Sequence, residues 1–77
     1  MVSREVILER LRQKFPTAQM DLVDSTGTQD HYELHITAEE FEGKSRVAQH
    51  QLVYAALGDL MKDAIHALAL RTSAPSR

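Results

Sequence analysis

Residues 31–37, His31-Tyr32-Glu33-Leu34-His35-Ile36-Thr37, alternate without a break between polar and apolar side chains. Tyr32, Leu34 and Ile36 fall on one side, and His31, Glu33, His35 and Thr37 on the other. A period of two is that of a β-strand, and clean alternation means a strand with one face in a core and one in water. Such a strand needs an antiparallel neighbour. The preceding stretch Gln19–Asp24 supplies one, with Met20 and Leu22 on one face and Gln19 and Asp21 on the other. The polar residues Ser25 to Asp30 between them read as the turn of a hairpin.

Further outward, Ile7, Leu8, Leu11 and Phe15 recur at helical spacing. Ser3 is a suitable N-cap for that helix, Glu5 suits its first turn, and Pro16 stops it after Lys14. On the other side of the strand, Glu39–Lys44 reads as a connector turning at Gly43, with Phe41 as an apolar anchor. Ser45 can cap a second helix in which Val47, His50, Val53, Tyr54 and Leu57 share a face, and Gly58 can end it by adopting the left-handed conformation. Asp59–Asp63 suits a short third helix. His66–Thr72 reads as the last strand, with Leu68 and Leu70 on one face and Ala67 and Ala69 on the other. The order α-β-β-α-α-β predicts an α+β fold. Its three-stranded sheet has helices packed on one face, and the last strand is parallel to a neighbour through a right-handed crossover. One domain, 1–72, is expected, with 73–77 as a flexible tail.

The chain has 77 residues, so its core alone supplies only about 3–5 kcal/mol. It contains no cysteine, which excludes disulfides and thiolate-held metals within the chain. Histidine and carboxylate remain as metal ligands. The formal net charge of −2 lacks the basic excess that phosphate neutralisation commonly requires. No apolar run reaches the roughly 18–20 residues that cross a bilayer, and residues 1–10 carry no continuous apolar segment of the secretory type. A cytoplasmic address without membrane association is the expectation, or an organelle matrix if a transit segment has been removed.

Three segments then combine: Phe41-Glu42-Gly43-Lys44-Ser45-Arg46, His50-Gln51-Leu52-Val53-Tyr54-Ala55-Ala56-Leu57, and Ile65-His66-Ala67-Leu68-Ala69-Leu70-Arg71-Thr72, with Pro75 beyond. Together, at these separations, they resemble the BolA family of stress-morphogen type. Members show F-x-G-x-S/R, a His and Val-Tyr in the second helix, and a terminal I/V-H-A-L-x-L ahead of a proline. The resemblance implies a class II KH-like fold and partnership with a monothiol glutaredoxin. It also implies a [2Fe-2S] cluster shared with glutaredoxin and glutathione, to which the family histidine, here His66, is a ligand. A second ligand, His or Cys, usually comes from the loop between the first two strands. Ser25–Asp30 contains neither, and the nearest candidate is His31. The apo protein alone is expected to be metal-free, and monomeric or weakly dimeric.

Taken without the family, His66 is more often a structural histidine bonded to a carbonyl. Neutral imidazole nitrogen is nevertheless a competent iron ligand, and a histidine-held cluster is acid-sensitive because a protonated ring cannot bind metal. His35 reads as an exposed polar residue and His50 as a packed core or interface histidine. No nucleophile, base and orienting group form a set, so no catalytic residue is assigned and the protein is expected not to be an enzyme. Lys44 and Arg46 flank the start of the second helix, where backbone N–H groups favour anions. They are the candidate contacts for nucleic acid or an acidic partner. The resemblance also admits a second role, a DNA-binding transcriptional regulator of stress and morphology genes. The G-x-x-G loop of nucleic-acid-binding KH domains is absent, because Gly27, Gly43 and Gly58 lie far apart.

Overall fold

The computed structural model describes residues 3–25, 27, 31–63 and 67–75. In chain order the elements are α1 (Arg4–Lys14), β1 (Gln19–Asp24), β2 (His31–Thr37), a 3-10 turn (Glu39–Phe41), α2 (Arg46–Leu57), α3 (Leu60–Asp63) and β3 (Ala67–Ser73). This is the expected α+β order. The three strands form one sheet in the order β1-β2-β3. β1 pairs antiparallel with β2, with Leu22 opposite Leu34, and β2 pairs parallel with β3, with Leu34 opposite Leu70.

Both long helices begin where a serine is placed to start them. Ser3 Oγ accepts from the Val6 N–H and Ser45 Oγ from the Ala48 N–H, each answering one otherwise unpaired donor of a first turn. The chain between β2 and α2 turns at Gly43, with φ +76°. At the end of α2, Gly58 takes φ +55° and ψ −127°. That is not the left-handed helical cap expected from its position. It is a conformation that a Cβ disfavours even more strongly, so glycine is still the residue required.

The core lies between the helices and one face of the sheet. Tyr32, Leu34 and Ile36 of β2 are buried together with Ile7 and Leu11 of α1 and Val53 and Leu57 of α2. The alternation of β2 is therefore carried through to burial, with Glu33 and His35 exposed on the other face. Phe41 is completely buried and meets Phe15 with ring centroids 5.3 Å apart, which ties the connector to the end of α1. The outer edge of β1 is engaged by α1, whose Arg4 Nε donates to the Leu22 carbonyl at 2.9 Å. Arg12 Nη1 donates to the Ala18 carbonyl at 2.8 Å just before β1.

Two expectations are corrected. Within α2 the buried face is Val53, Ala56 and Leu57, whereas Val47 is 67% and Tyr54 40% exposed. At about 100° per residue, Val47 and Tyr54 sit roughly 120° and 100° round the helix from Val53, too far to reach the same core. α1 and the sheet cover only the narrower stripe of Val53, Ala56 and Leu57. The last strand also runs one residue further than expected. Ser73 pairs with Thr37, its carbonyl accepts from the Ala38 N–H at 3.1 Å, and its hydroxyl lies 2.9 Å from that of Thr37. Ser73 thus belongs to the sheet and not to the tail. Among the described residues, no helix is long and apolar enough to cross a membrane.

Candidate functional site

Parallel pairing brings the starts of two strands to one end of a sheet, however far apart they are in sequence. Here His31, the first residue of β2, lies opposite Ala67, the first residue of β3. His66, the expected cluster ligand, lies outside the described residues. His31 is half-buried, and its backbone is held at the base of the hairpin. Both the N–H and the hydroxyl of Ser25 donate to the His31 carbonyl, at 2.9 and 3.0 Å. Asp24 Oδ1 accepts from the Gly27 N–H at 3.0 Å and shapes the same turn. Among the described residues, no group of three or more His, Cys, Asp or Glu side chains is arranged to hold a metal ion. The chain contains no cysteine, and among the described residues His31 is the imidazole at this end of the β2–β3 pair.

The other end of the same two strands carries a different set. His35 of β2 lies opposite Arg71 of β3. A cleft of about 480 Å³ runs over the free edge of β3 and is lined by His35, Arg46, His50, Leu70, Arg71 and Thr72. Arg46, the first residue of α2, and His50, one turn later, enter it from the helix side. Gln49 fixes their position relative to the strand. Its Nε2 donates to the carbonyls of Phe41 and Lys44 at 3.1 and 3.0 Å, and its Oε1 accepts from the Thr72 hydroxyl at 2.6 Å. The ring of His50 meets Tyr54 edge-on, with centroids 6.4 Å apart.

Two guanidinium groups and two imidazoles thus line one cleft, with no carboxylate in its wall among the described residues. The nearest acids on the sheet are Asp21, which lies opposite His35, and Glu33. Both line an adjoining depression that shares His35 and Arg71. The arrangement can accept an anion. Of the two basic residues expected to meet a partner, the structure brings Arg46 into the cleft but not Lys44, which is exposed and engages Gln49 only through its carbonyl. His35, exposed as its place in the alternation predicts, and His50, expected in the core or at an interface, both line the cleft with Arg71, whose own segment carries no sign of a site. Only the parallel register, which no local pattern contains, sets Arg71 beside His35.

Residues 3–77 match the family model described as BolA-like protein. The chain belongs to the BolA-like family. It is 34% identical over 71 residues to the protein RP812 of Rickettsia prowazekii (strain Madrid E), covering 92% of each chain. It is 29% identical over 79 residues to the protein named DNA-binding transcriptional regulator BolA of Escherichia coli (strain K12), covering 94% of this chain and 75% of that one. Its fold superposes with a TM-score of 0.86 on the crystal structure of a bol-like protein from Babesia bovis. That pair is 29% identical and covers 97% of this chain and 87% of the other.

Proposed function

We propose that this BolA-like protein is a non-enzymatic adaptor. It docks on a monothiol glutaredoxin and supplies histidine to a [2Fe-2S] cluster held between the two proteins with glutathione, serving cluster trafficking or iron sensing. The observation that carries this reading is the parallel register. His31 stands opposite Ala67, the residue that follows His66 in the I-H-A-L-A-L segment. The two imidazoles assigned as ligands are 35 positions apart in the chain (66 − 31), and the sheet pairs the first of them with the immediate neighbour of the second. When bound, such a cluster supplies one-electron chemistry and a transferable iron–sulfur unit. The chain's own part is to present the rings, with Ser25 holding the His31 backbone in place.

The test is reconstitution of the complex with a monothiol glutaredoxin, glutathione, iron and sulfide, followed by visible absorption and circular dichroism spectra. His66→Ala is expected to abolish or reshape the bands assigned to the shared cluster, leaving the spectrum of glutaredoxin alone. Unchanged spectra in that variant would remove the ligand assignment.

A second reading, DNA-binding regulation of stress and morphology genes, is supported by the basic cleft and by the name of the Escherichia coli relative. It is separated from the first by measuring duplex affinity against salt. A steep decline in log affinity with log salt, made shallower by about one unit in Arg46→Ala, supports it, because each neutralised phosphate contributes about 0.9 to the slope.

A further inference from the structure

We infer that the cleft between the N-terminal turn of α2 and the end of β3 is a phosphate-binding site, formed by Arg46, His50, Arg71 and His35. The inference is independent of the glutaredoxin reading and bears on the DNA-binding one, which uses the same cleft. The cleft and the start of β2 are separated by four residues along the strand, about 13 Å, and share no side chain.

Three observations point to an anion, and to phosphate in particular. Arg46 and Arg71 come from different elements and enter one cleft that no carboxylate among the described residues lines. Like charges so placed repel, and an anion between them turns that repulsion into attraction. The first turn of α2 adds the positive end of a twelve-residue helix. Guanidinium groups offer paired donors that match phosphate oxygens two at a time, and imidazole N–H groups supplement them. A phosphate with three free oxygens can present a pair of oxygens to each of two forks arriving from different directions. The volume of about 480 Å³ is also more than a bare ion needs, and is of the size that takes a small phosphorylated molecule.

The site is built before any ligand arrives. Gln49 joins the connector, through the carbonyls of Phe41 and Lys44, to Thr72 on β3, so the helix that carries Arg46 and His50 is fixed against the strand that carries Arg71. The Thr72 proton is directed to Gln49, so Thr72 positions the wall and does not donate to the ligand. The opposing charges are Asp21 and Glu33, which reach His35 and Arg71 from the adjoining depression. Arg46 and His50 do not line that depression, so they are assigned the larger share of binding.

The experiment is a titration of the full chain, followed by amide, arginine side-chain and imidazole resonances, with two probes: inorganic pyrophosphate and a short DNA duplex. Saturable shifts centred on Arg46, His50, Arg71 and Thr72 are expected with pyrophosphate. Arg46→Ala should weaken binding about tenfold, the loss of one charge-assisted bidentate contact. Lys44→Ala should change it less than twofold, and Arg46→Lys, which keeps charge but not the fork, should fall between. If both probes act at these residues, or only the duplex does, the cleft takes the phosphate from a nucleic-acid backbone. If pyrophosphate alone acts, the ligand is a free phosphorylated molecule. Failure of both probes to bind, shifts spread evenly over the basic surface, or equal weakening by Lys44→Ala and Arg46→Ala would overturn the site.

Discussion

The first residues of β2 and β3 and the last ones are joined by a single hydrogen-bonded ladder, yet the side chains at its two ends suit opposite ligands. At the beginning, His31 pairs with Ala67 at the foot of the hairpin, the end for which we propose a share in an iron–sulfur cluster. At the end, His35 and Arg71 meet Arg46 and His50 in a cleft lined with cations and suited to a hard anion. Histidine appears at both ends, and its neighbours decide its use. Beside the guanidinium groups of the cleft an imidazole serves as an extra N–H donor, whereas at the start of β2 the role proposed for it is that of a metal ligand. On the two proposals made above, a parallel strand pair separates two chemistries by about 13 Å.

The most severe way to break this contrast is to remove what holds both ends. Phe41 is fully buried, packs on Phe15 and anchors the connector that leads into α2. Phe41→Ala is expected to cost about 3–5 kcal/mol, comparable to the whole stability available to a domain of this size. Thermal melts followed by circular dichroism should lose their cooperative transition, and both binding activities should vanish together.

A selective break comes next. His31→Ala should weaken or reshape the absorption of the glutaredoxin complex while leaving pyrophosphate affinity within twofold. Arg46→Ala should do the reverse. Joint loss in either variant would mean that the ends are coupled and the contrast is wrong. The smallest effect is expected from Thr72→Val, which removes the donor to Gln49 Oε1 but leaves both Gln49 Nε2 bonds in place. Such a bond contributes about 0.5–1.5 kcal/mol. At about 4–8 °C per kcal/mol for a domain of this length, the melting temperature should drop by several degrees. Pyrophosphate should bind no more than about threefold weaker, since the bond only positions the wall.

Local pattern carried most of the architecture. Unbroken alternation from His31 to Thr37 is decisive because successive strand side chains must point to opposite faces. Ser3 and Ser45 announced their helices because a hydroxyl at that point answers an N–H with no partner inside the helix. The I-H-A-L-A-L segment with its proline, set at a fixed distance from the two motifs before it, carried the family. All of these are properties of short windows and can be read without knowing what lies opposite.

The rotation of α2, the pairing of His35 with Arg71 and the extension of β3 to Ser73 are of another kind. Each depends on which distant residues come to lie alongside, and packing of the whole core selects among arrangements that a local window leaves equal. Val47 and Tyr54 share a spacing with Val53 but not its neighbours, so they face outward. Arg71 is an ordinary charged residue in its own segment, and becomes half of a basic cleft only because β3 lies parallel to β2 in that register and α2 overhangs its edge. Helices and turns arise from bonds between near residues, whereas strand pairing and the site arise from contacts between far ones, and those exist only after the chain has folded.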